Sequence, residues 1–519
     1  MDAEHFDDEA AFQSAIAELA ALPPLAFAQR RGEIAKSFKA PLALVDRQVR
    51  EWRRDMDAQR RRKAAEDRDD EAPARPPEFS DDALALRFSD RHGAALRYVA
   101  GWGRWMLFDG IAWREDSTLA VFDKARVIAR EAAETCNDMN VAGLLTSAKT
   151  VAAVERLARS DRRHAATADQ WDSDLWLLNT PGGTVDLRTG KPRAHRSGDY
   201  MTKTTAVAPG GECPLFLKFL DRITDGDGEL QSYLQRVFGY CLTGITTEHA
   251  LFFGHGTGRN GKGVLLGALG GLMGEYAVVA TMEVFMASAN DRHTTDIAML
   301  RGARLVTAQE TEEGRRLAEA RIKAITGGDP ITARFMRQDN FTYMPQFKPF
   351  IAGNHKPGLR GVDEAIRARL HMIPFTVTIP KPERDRELPE KLKAEWPGIL
   401  AWAIEGCLKW QRIGLAPPEA VTSATEHYLD AEDSLGAWLG ERTRKNGYGA
   451  TETSRLFADW TLWAKAAGED PGTLKRFGQA LEDRGYVRKQ NWSTRRSEIE
   501  GLALADVEPS WAEPEHERA

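Results

Sequence analysis

The sequence predicts an α/β protein built around a parallel sheet with helices packed against it. Three short apolar segments, residues 250–253, 304–307 and 350–352, have the length and composition of buried strands. Helical sequence lies between them, and strands that alternate with helices are typical of parallel α/β sheets. The first segment runs into a glycine-rich segment, GTGRNGKG at residues 256–263, which opens a helix. A strand, a glycine-rich loop and a helix in this order indicate a P-loop core.

Length and charge restrict the classes of protein that fit. The chain has 519 residues, which suggests about three domains at roughly 100–200 residues each. Its formal net charge is -6, so any binding of nucleic acid must depend on local basic patches. The cysteines form no CxxC pair, which argues against a zinc site or a disulfide framework. They are Cys136, Cys213, Cys241 and Cys407.

The N-terminal sequence favours a reduced, cytosolic setting. Residues 1–4 (MDAE) are acidic where a signal peptide would be basic. The sequence contains no apolar run of about 18 residues, the length needed to span a bilayer.

Two regions precede the predicted sheet. Residues 1–78 form a helical segment, with apolar side chains at helical spacing over 9–66, followed by a charged and proline-rich linker. Residues 79–247 form a mixed accessory region. In it, Asp109-Gly110 predicts a tight hairpin turn, a Pro-Gly-Gly turn joins two strands within 176–190, and residues 214–243 are helical.

Two further regions follow the core at 248–385. Residues 386–440 read as a helical connector, and residues 441–519 as a winged-helix-like DNA-binding domain with a flexible tail. The winged helix is predicted from two helices and a β-ribbon over 451–504. This segment is rich in basic residues, among them Lys475 and Arg476, and a helix with a basic ribbon is a common DNA-binding arrangement.

The glycine-rich loop predicts a site for ATP and Mg²⁺. Its glycines allow backbone N–H groups to turn toward phosphate oxygens, and the N-terminus of the following helix favours an anion. Lys262 would neutralise the β- and γ-phosphates. Gly263 stands where a P-loop usually has the Ser or Thr that binds magnesium. The predicted nucleotide-binding residues are Gly256, Gly258, Asn260, Gly261, Lys262 and Gly263.

Polar residues at the ends of the later elements fit the same site. Glu310 follows the second apolar strand, where an acid could orient water or hold the metal. Asn354 follows the third strand and could sense the γ-phosphate. Arg367 and Arg369 come next, and an arginine here could reach the nucleotide of a neighbouring subunit. Each of these residues has an ordinary structural interpretation alone, but their joint order favours the functional one.

On these residues the chain resembles the superfamily-3 helicases, specifically the phage, plasmid and poxvirus primase-helicase group. The resemblance covers roughly residues 80–390. It is carried by the segments LFFGHGTGRNGKGVLL, KAITGGDPITAR, FIAGNHKP and VDEAIRARLHMIPF, and upstream by LNTPGGTVDLRTG and LQRVFGYCLTG.

The resemblance implies a P-loop AAA+-like ATPase core with a helical and mixed N-terminal accessory region and a C-terminal winged helix. It assigns Lys262 to phosphate, Glu310 to the Walker B acid and the metal, Asn354 to sensor 1 and Arg369 to the arginine finger. Arg367 remains an alternative for the finger.

The resemblance also implies a β-hairpin that projects into the channel of a hexamer. Residues 331–336 and 341–344 fit its strands, and 337–340 its polar tip. Arg334 and Arg337 are the expected phosphate contacts, and Lys323 could face the nucleotide or the channel. Contacts of this kind would make binding salt-dependent.

The function expected from these features is an ATP-dependent, ring-shaped DNA helicase for phage or plasmid replication, in the cytoplasm of a bacterial host cell. Its partners would be single-stranded DNA, forked or origin DNA, other copies of the chain in a hexamer, and a primase or polymerase.

Two alternatives stay open. One is a primase-helicase with an unrecognised primer-synthesis site, for which Asp172 and Asp174 are the only paired acids noted, without a partner carboxylate. The other is a non-translocating, ATP-dependent replication initiator. Primer synthesis from nucleotides would identify the first, and a lack of strand displacement the second.

Overall fold

The structure, a computed structural model, describes residues 3–66, 76–287, 295–309, 315–336, 339–359 and 361–505. The chain divides into two compact units, Met1–Ala83 and Leu84–Ala519. Two predicted functional residues, Glu310 and Arg337, lie outside the described residues. Among the described helices, none has the length and apolar character needed to cross a membrane.

The first unit is helical, as predicted for residues 9–66. Its helices are α1 (Ala3–Ala21), α2 (Pro24–Ser37) and α3 (Leu42–Glu66). Buried Ile16 and Leu19 of α1 pack with Val45 and Val49 of α3. Their separations of three and four residues place each pair on one helix face, which explains why the periodic pattern identified these helices.

The accessory region of the second unit contains two small sheets and six helices. The elements are α4 (Asp81–His92), β1 (Leu96–Val99), β2 (Arg104–Phe108), β3 (Trp113–Glu115), α5 (Ala120–Thr135), α6 (Met139–Leu145), α7 (Ala148–Ala158), β4 (Ala165–Ala166), β5 (Leu177–Thr180), β6 (Gly183–Asp186), β7 (Lys191–Arg193), α8 (Pro214–Ile223) and α9 (Gly228–Leu242). The sheet orders are β3-β2-β1-β4 and β5-β6-β7. Both predicted turns are confirmed: Phe108 pairs with Trp113, and Thr180 with Gly183.

A five-stranded parallel sheet follows, with the order β14-β8-β13-β10-β9. The elements are β8 (Leu251–His255), α10 (Lys262–Met273), β9 (Ala277–Val279), α11 (Thr295–Ala298), β10 (Leu305–Gln309), α12 (Glu319–Gly327), β11 (Ile331–Ala333), β12 (Phe341–Tyr343), β13 (Lys348–Gly353), α13 (Glu364–Arg367) and β14 (Leu370–Pro374). Strand β8, which leads into the glycine-rich loop, lies between β14 and β13. Open α/β sheets bind ligands in the crevice at the carboxyl ends of such inner strands, at the point where the connections on either side diverge.

Three helices after the sheet belong to the same core. They are α14 (Leu388–Lys393), α15 (Trp396–Ile413) and α16 (Glu419–Glu432). Helices α9 and α15 cross at two glycines: a Cβ added to Gly239 would lie 2.0 Å from the Cys407 nitrogen, and one added to Gly406 would lie 1.9 Å from the Gln235 oxygen. Residues 386–440, predicted as a helical connector, therefore include a helix that packs backbone to backbone with the accessory region.

The C-terminal part contains α17 (Ser434–Arg442), β15 (Thr443–Glu452), α18 (Thr453–Ala466), α19 (Leu474–Asp483), β16 (Arg488–Gln490) and β17 (Ser497–Leu504). The antiparallel sheet has the order β15-β17-β16. Buried Trp438, Phe477 and Ile499 join the helices to the sheet. The predicted pair of helices and the ribbon are confirmed. Strand β15 was not predicted, because its segment TRKNGYGATE lacks alternating apolar residues.

Candidate nucleotide-binding site

Two glycines of the loop are required by close contacts. Gly256 directly follows β8, and a Cβ there would lie 2.1 Å from the Phe375 carbonyl oxygen. Gly261 has φ +87°, and a Cβ there would lie 2.5 Å from Cγ2 of Ile223 on α8. Larger residues at these positions would therefore displace the loop from β14 or from α8.

The loop is held against the segment that follows β14. Phe375 N–H donates to the His255 carbonyl at 2.8 Å, and Asn260 Nδ2 donates to the Phe375 carbonyl at 3.2 Å. Ile379 N–H donates to the Arg259 carbonyl at 3.0 Å. These hydrogen bonds hold the loop against the segment that follows β14.

Lys262 is the first residue of α10 and lies inside the loop. Its Nζ donates to the Gly256 carbonyl at 2.7 Å and to Asn354 Oδ1 at 3.4 Å. The residue is only 6% exposed. Burial lowers the pKa of its ammonium group to about 8. No carboxylate among the described residues pairs with this ammonium, so the charge is available to an anion at the N-terminus of α10.

Loop and strand ends border a cavity of about 610 Å³. Its near wall consists of residues 258–264, and Gln309, at the end of β10, and Asn354 lie beside them. A Cβ on Gly258 or Gly263 would meet nothing closer than 3.9 Å, which shows that both backbones border open space. The volume is within the range of small-molecule and cofactor sites.

The far wall was not identified from the sequence. It consists of Gly267 and Ala268 of α10, Pro389 and Lys393 of α14, and Trp396 of α15. The indole Nε1 of Trp396 is buried without a hydrogen-bond partner in the described structure. The ring itself borders the cavity and offers a flat apolar surface to the base of a nucleotide.

His255 separates β8 from the loop and stays neutral. Burial, with smaller contributions from Lys356 and Lys262, lowers its pKa to about 4. It therefore adds no positive charge at neutral pH. The positive charge that the loop offers to an anion comes from Lys262 and from Arg259, which also borders the cavity.

The structure places the two candidate finger arginines at the opposite edge of the sheet. Arg369 directly precedes β14, whose first residue, Leu370, pairs with Leu251 at the start of β8. The Arg369 guanidinium donates to Thr326 Oγ1 at 3.2 Å and to the Ala365 carbonyl at 2.8 Å. Arg367 forms an ion pair with Asp430 at 3.6 Å.

Lys262 and Asn354 lie at the carboxyl edge instead, beyond His255. At about 3.3 Å per residue, a five-residue strand separates the two edges by roughly 16 Å. Neither arginine can therefore reach the cavity of its own chain.

The predicted hairpin is present with shorter strands than expected. Ile331 pairs with Tyr343 and Ala333 with Phe341. The first strand ends at Ala333 instead of residue 336, although the rings of Phe335 and Phe341 still stack at 5.5 Å. Arg334 is exposed at the end of this strand. Lys323 pairs with Asp363, the N-cap of α13. That it faces the nucleotide or the channel stays a prediction.

In the C-terminal part, Lys475 and Arg476 lie exposed in the first turn of α19. Neither side chain has a hydrogen-bond or ion-pair partner in the described part of the chain. Both charges are thus available to phosphates.

The acidic pair of the accessory region is occupied by its own neighbours. The Asp172 carboxylate accepts from the backbone N–H of Thr202 at 2.8 Å and also from its hydroxyl. Asp174 pairs with Arg188 at 3.0 Å. Within the described residues, no group of three or more His, Cys, Asp or Glu side chains could hold a metal ion. These contacts give the two acids a structural role.

Two family models match the chain. The D5 N terminal like family matches residues 85–225, and a family of unknown function, DUF5906, matches residues 254–369. The first match lies in the accessory region, and the second runs from β8 to Arg369. Together they cover most of the segments that carry the motifs, while LQRVFGYCLTG, at residues 234–244, lies between the two matches.

Two viral proteins are similar in sequence over about half of this chain. "Putative helicase L207/L206" of Acanthamoeba polyphaga mimivirus is 26% identical over 295 residues, which are 52% of this chain and 31% of that protein. "Putative helicase 022R" of Frog virus 3 (isolate Goorha) is 24% identical over 292 residues, 51% of this chain and 29% of that protein. The match thus spans less than a third of the length of either relative.

Among solved structures, the A form apo structure of the NrS-1 C terminal region covers 80% of this chain and 98% of its own, with a TM-score of 0.42 and 10% identity. The apo structure of NrS-1 residues 305–718 covers 82% of this chain and 100% of its own, with the same TM-score and identity.

Proposed function

We propose that this chain, which belongs to the primase-helicase family, is an ATP-dependent, superfamily-3 DNA helicase that works as a ring on single-stranded DNA. Its role would be the replication of a phage, plasmid or viral genome. The names of the two viral relatives support the activity, and the geometry of the site supports the mechanism.

ATP fits the cavity by chemistry and by size. The phosphates would lie along the N-terminus of α10, with Lys262 on the β- and γ-phosphates and Asn354 beside the terminal one. The base and ribose would lie against Trp396. Mg²⁺ would need an oxygen ligand other than residue 263, which is glycine. Our candidate is Glu310, the next residue in sequence after β10. The bound metal would compensate phosphate charge.

One observation carries the ring proposal: the candidate finger and the phosphate loop lie at opposite edges of one sheet. An arginine that cannot reach its own cavity can complete a site only on a neighbouring subunit. Closed cyclic assemblies repeat such a head-to-tail contact without leaving an unpaired end. The remote position of Arg369 therefore supports a ring in which each subunit completes the next.

Two exposed basic elements support contact with DNA. The β11–β12 hairpin would present Arg334, and Arg337 outside the described residues, to a strand in the ring. The part from α17 to β17, which we interpret as a winged helix, would present Lys475 and Arg476 of α19 to duplex DNA. Phosphate contacts from both elements would make binding weaken steeply with salt.

Strand displacement on forks with 3′ or 5′ tails tests the proposal. We expect ATP-dependent displacement on one of the two forks. Lys262→Met should abolish it, whereas Lys149→Met, which removes an exposed lysine of α7, should not. ATP-dependent DNA binding without displacement on either fork would contradict the motor and favour an initiator. Primer synthesis from nucleotides would add a primase activity.

A further inference from the structure

The turn between β16 and β17 exposes a tryptophan almost completely. Trp492 is 98% exposed, more than any other large hydrophobic side chain of the described residues, of which Met139 is next at 83%. Single exposed apolar residues are common on protein surfaces, so exposure alone indicates nothing. In addition, hydrogen bonds order the turn that carries Trp492, and basic residues lie near it.

The turn that carries Trp492 is held in place by Asn491. The Asn491 Oδ1 accepts from the Ser493 N–H at 3.0 Å and from the Thr494 N–H at 3.2 Å. Its Nδ2 donates to Glu498 on β17 at 2.7 Å. Backbone bonds between Asn491 and Arg496 at 2.9 Å and between Arg495 and Asn491 at 2.8 Å close the turn. The indole is therefore presented on an ordered support.

Positive charge surrounds this turn. Arg488, Lys489, Arg495 and Arg496 flank Trp492 within four residues on either side. Lys489 and Arg496 are paired, with Glu500 and Glu452 respectively. The exposed side chain of Arg495 has no hydrogen-bond or ion-pair partner in the described structure.

The basic face of α19 adjoins the same ribbon. A Cβ added to Gly478 of α19 would lie 3.1 Å from Nη1 of Arg488 on β16, so helix and ribbon are in contact at this point. Lys475 lies three residues before Gly478 and Arg476 two residues before it. The exposed cation Lys475 therefore lies on the side of α19 that meets the ribbon carrying Trp492. A basic side chain near an exposed indole suits a polyanion whose bases offer a flat ring.

We propose that Trp492 stacks on an unpaired base where a DNA duplex opens into a single strand, while Lys475, Arg476 and Arg495 hold phosphates beside it. The choice of DNA rests on the proposed function. An indole needs an exposed base face, and within a closed duplex the faces are covered by neighbouring bases. Stacking of bases on aromatic side chains tolerates any sequence, which fits a protein that must act along a whole genome.

The test compares binding of the full chain to three DNAs without ATP: a fork, a blunt duplex and a single strand. A 2-aminopurine at the first unpaired position of the fork reports stacking. Trp492→Ala should weaken fork binding roughly tenfold or more and should restore the quenched 2-aminopurine fluorescence. Its effect on the blunt duplex should be small. Trp492→Phe keeps a ring and should retain most of the affinity.

Leu462→Ala is the matched control, because Leu462 is a 70% exposed apolar residue of α18 in the same part of the chain. It should bind all three DNAs like the wild type. Equal fork affinity and equal fluorescence for Trp492→Ala and the wild type would overturn the inference, as would an equal loss on the blunt duplex.

Strand-stimulated ATPase, measured in parallel, separates the two proposals. If Trp492→Ala binds forks normally and the wild type hydrolyses ATP and unwinds, the stacking site is wrong and the motor stands. If fork binding depends on Trp492 but no ATPase or unwinding is found, the stacking site stands and the motor is wrong.

Discussion

Raising the pH should weaken nucleotide binding through Lys262. The pKa of this buried ammonium is about 8, and its contacts at present are the Gly256 carbonyl and Asn354. Phosphates placed beside it favour the charged form and raise its pKa. Above about pH 8 the Lys262 amine is mostly neutral in the free protein and charged in the complex. In this pH range nucleotide binding therefore takes up a proton.

The size of the effect follows from the protonated fraction of the free protein. With a pKa of about 8, the ammonium is roughly nine-tenths protonated at pH 7 and roughly one-tenth at pH 9. If only the protonated form binds tightly, Kd for ATP rises about tenfold between these two pH values. Phosphate loses its last proton near pH 6, so the ligand contributes little in this range. His255, with a pKa of about 4, is neutral throughout.

Titration calorimetry at pH 7, 8 and 9, in two buffers with different ionisation enthalpies, measures both the affinity and the proton uptake. Lys262→Met should bind ATP more weakly and with no change between pH 7 and 9. A contrary outcome is that the wild type binds ATP equally at all three pH values while Lys262→Met binds it more weakly. That result would mean that the ammonium contacts phosphate but keeps an ordinary pKa. Equal affinities for wild type and variant would refute the phosphate contact itself.

Other substitutions separate steric from chemical roles around the cavity. Gly263→Ser should keep ATPase activity within about twofold in a Mg²⁺ titration, because an added Cβ there would meet no atom closer than 3.9 Å. Gly261→Ser should lose nucleotide binding, because φ is +87° and an added Cβ would lie 2.5 Å from a side chain of α8. Arg369→Ala should bind ATP normally but lose about a thousandfold or more in hydrolysis, and mixing it with Lys262→Ala should restore partial ATPase. If size-exclusion chromatography of labelled subunits shows that they exchange and no ATPase activity returns, Arg369 is not a finger that acts in trans. Trp396→Ala removes the ring that borders the cavity, so it should raise Kd for ADP about two- to tenfold. An unchanged Kd would contradict contact between this ring and the nucleotide.

Local features of the chain were predictable because they depend on neighbours in sequence. The loop from Gly256 to Gly263, the turn at Asp109-Gly110 and the helices of residues 9–66 all follow from short patterns. The edge on which Arg369 lies was not predictable in this way. Strand β14, which Arg369 directly precedes, is not among the three strands that the sequence predicted.

The far wall of the cavity could not be predicted in this way. Lys393 and Trp396 lie more than a hundred residues after Lys262 and carry no motif, and α10 meets them only because α15 packs against α9. A Cβ on Gly271 of α10 would lie 2.5 Å from the Trp396 ring, so this position too is set by tertiary contact. The sequence predicted helical structure over residues 386–440 and gave no information about the element against which α15 packs.

The same packing indicates why the accessory region accompanies the nucleotide loop in one chain. Phe219 and Ile223 of α8 lie against Gly261, at 3.0 and 2.5 Å from an added Cβ, so α8 forms the back of the loop. Helix α9 in turn crosses α15, which brings Trp396 to the opposite wall. The cavity is therefore enclosed from two sides by elements outside the parallel sheet. A movement of α8 or α15 would change the loop or the far wall directly, and nucleotide state and the accessory region should be coupled through these two contacts.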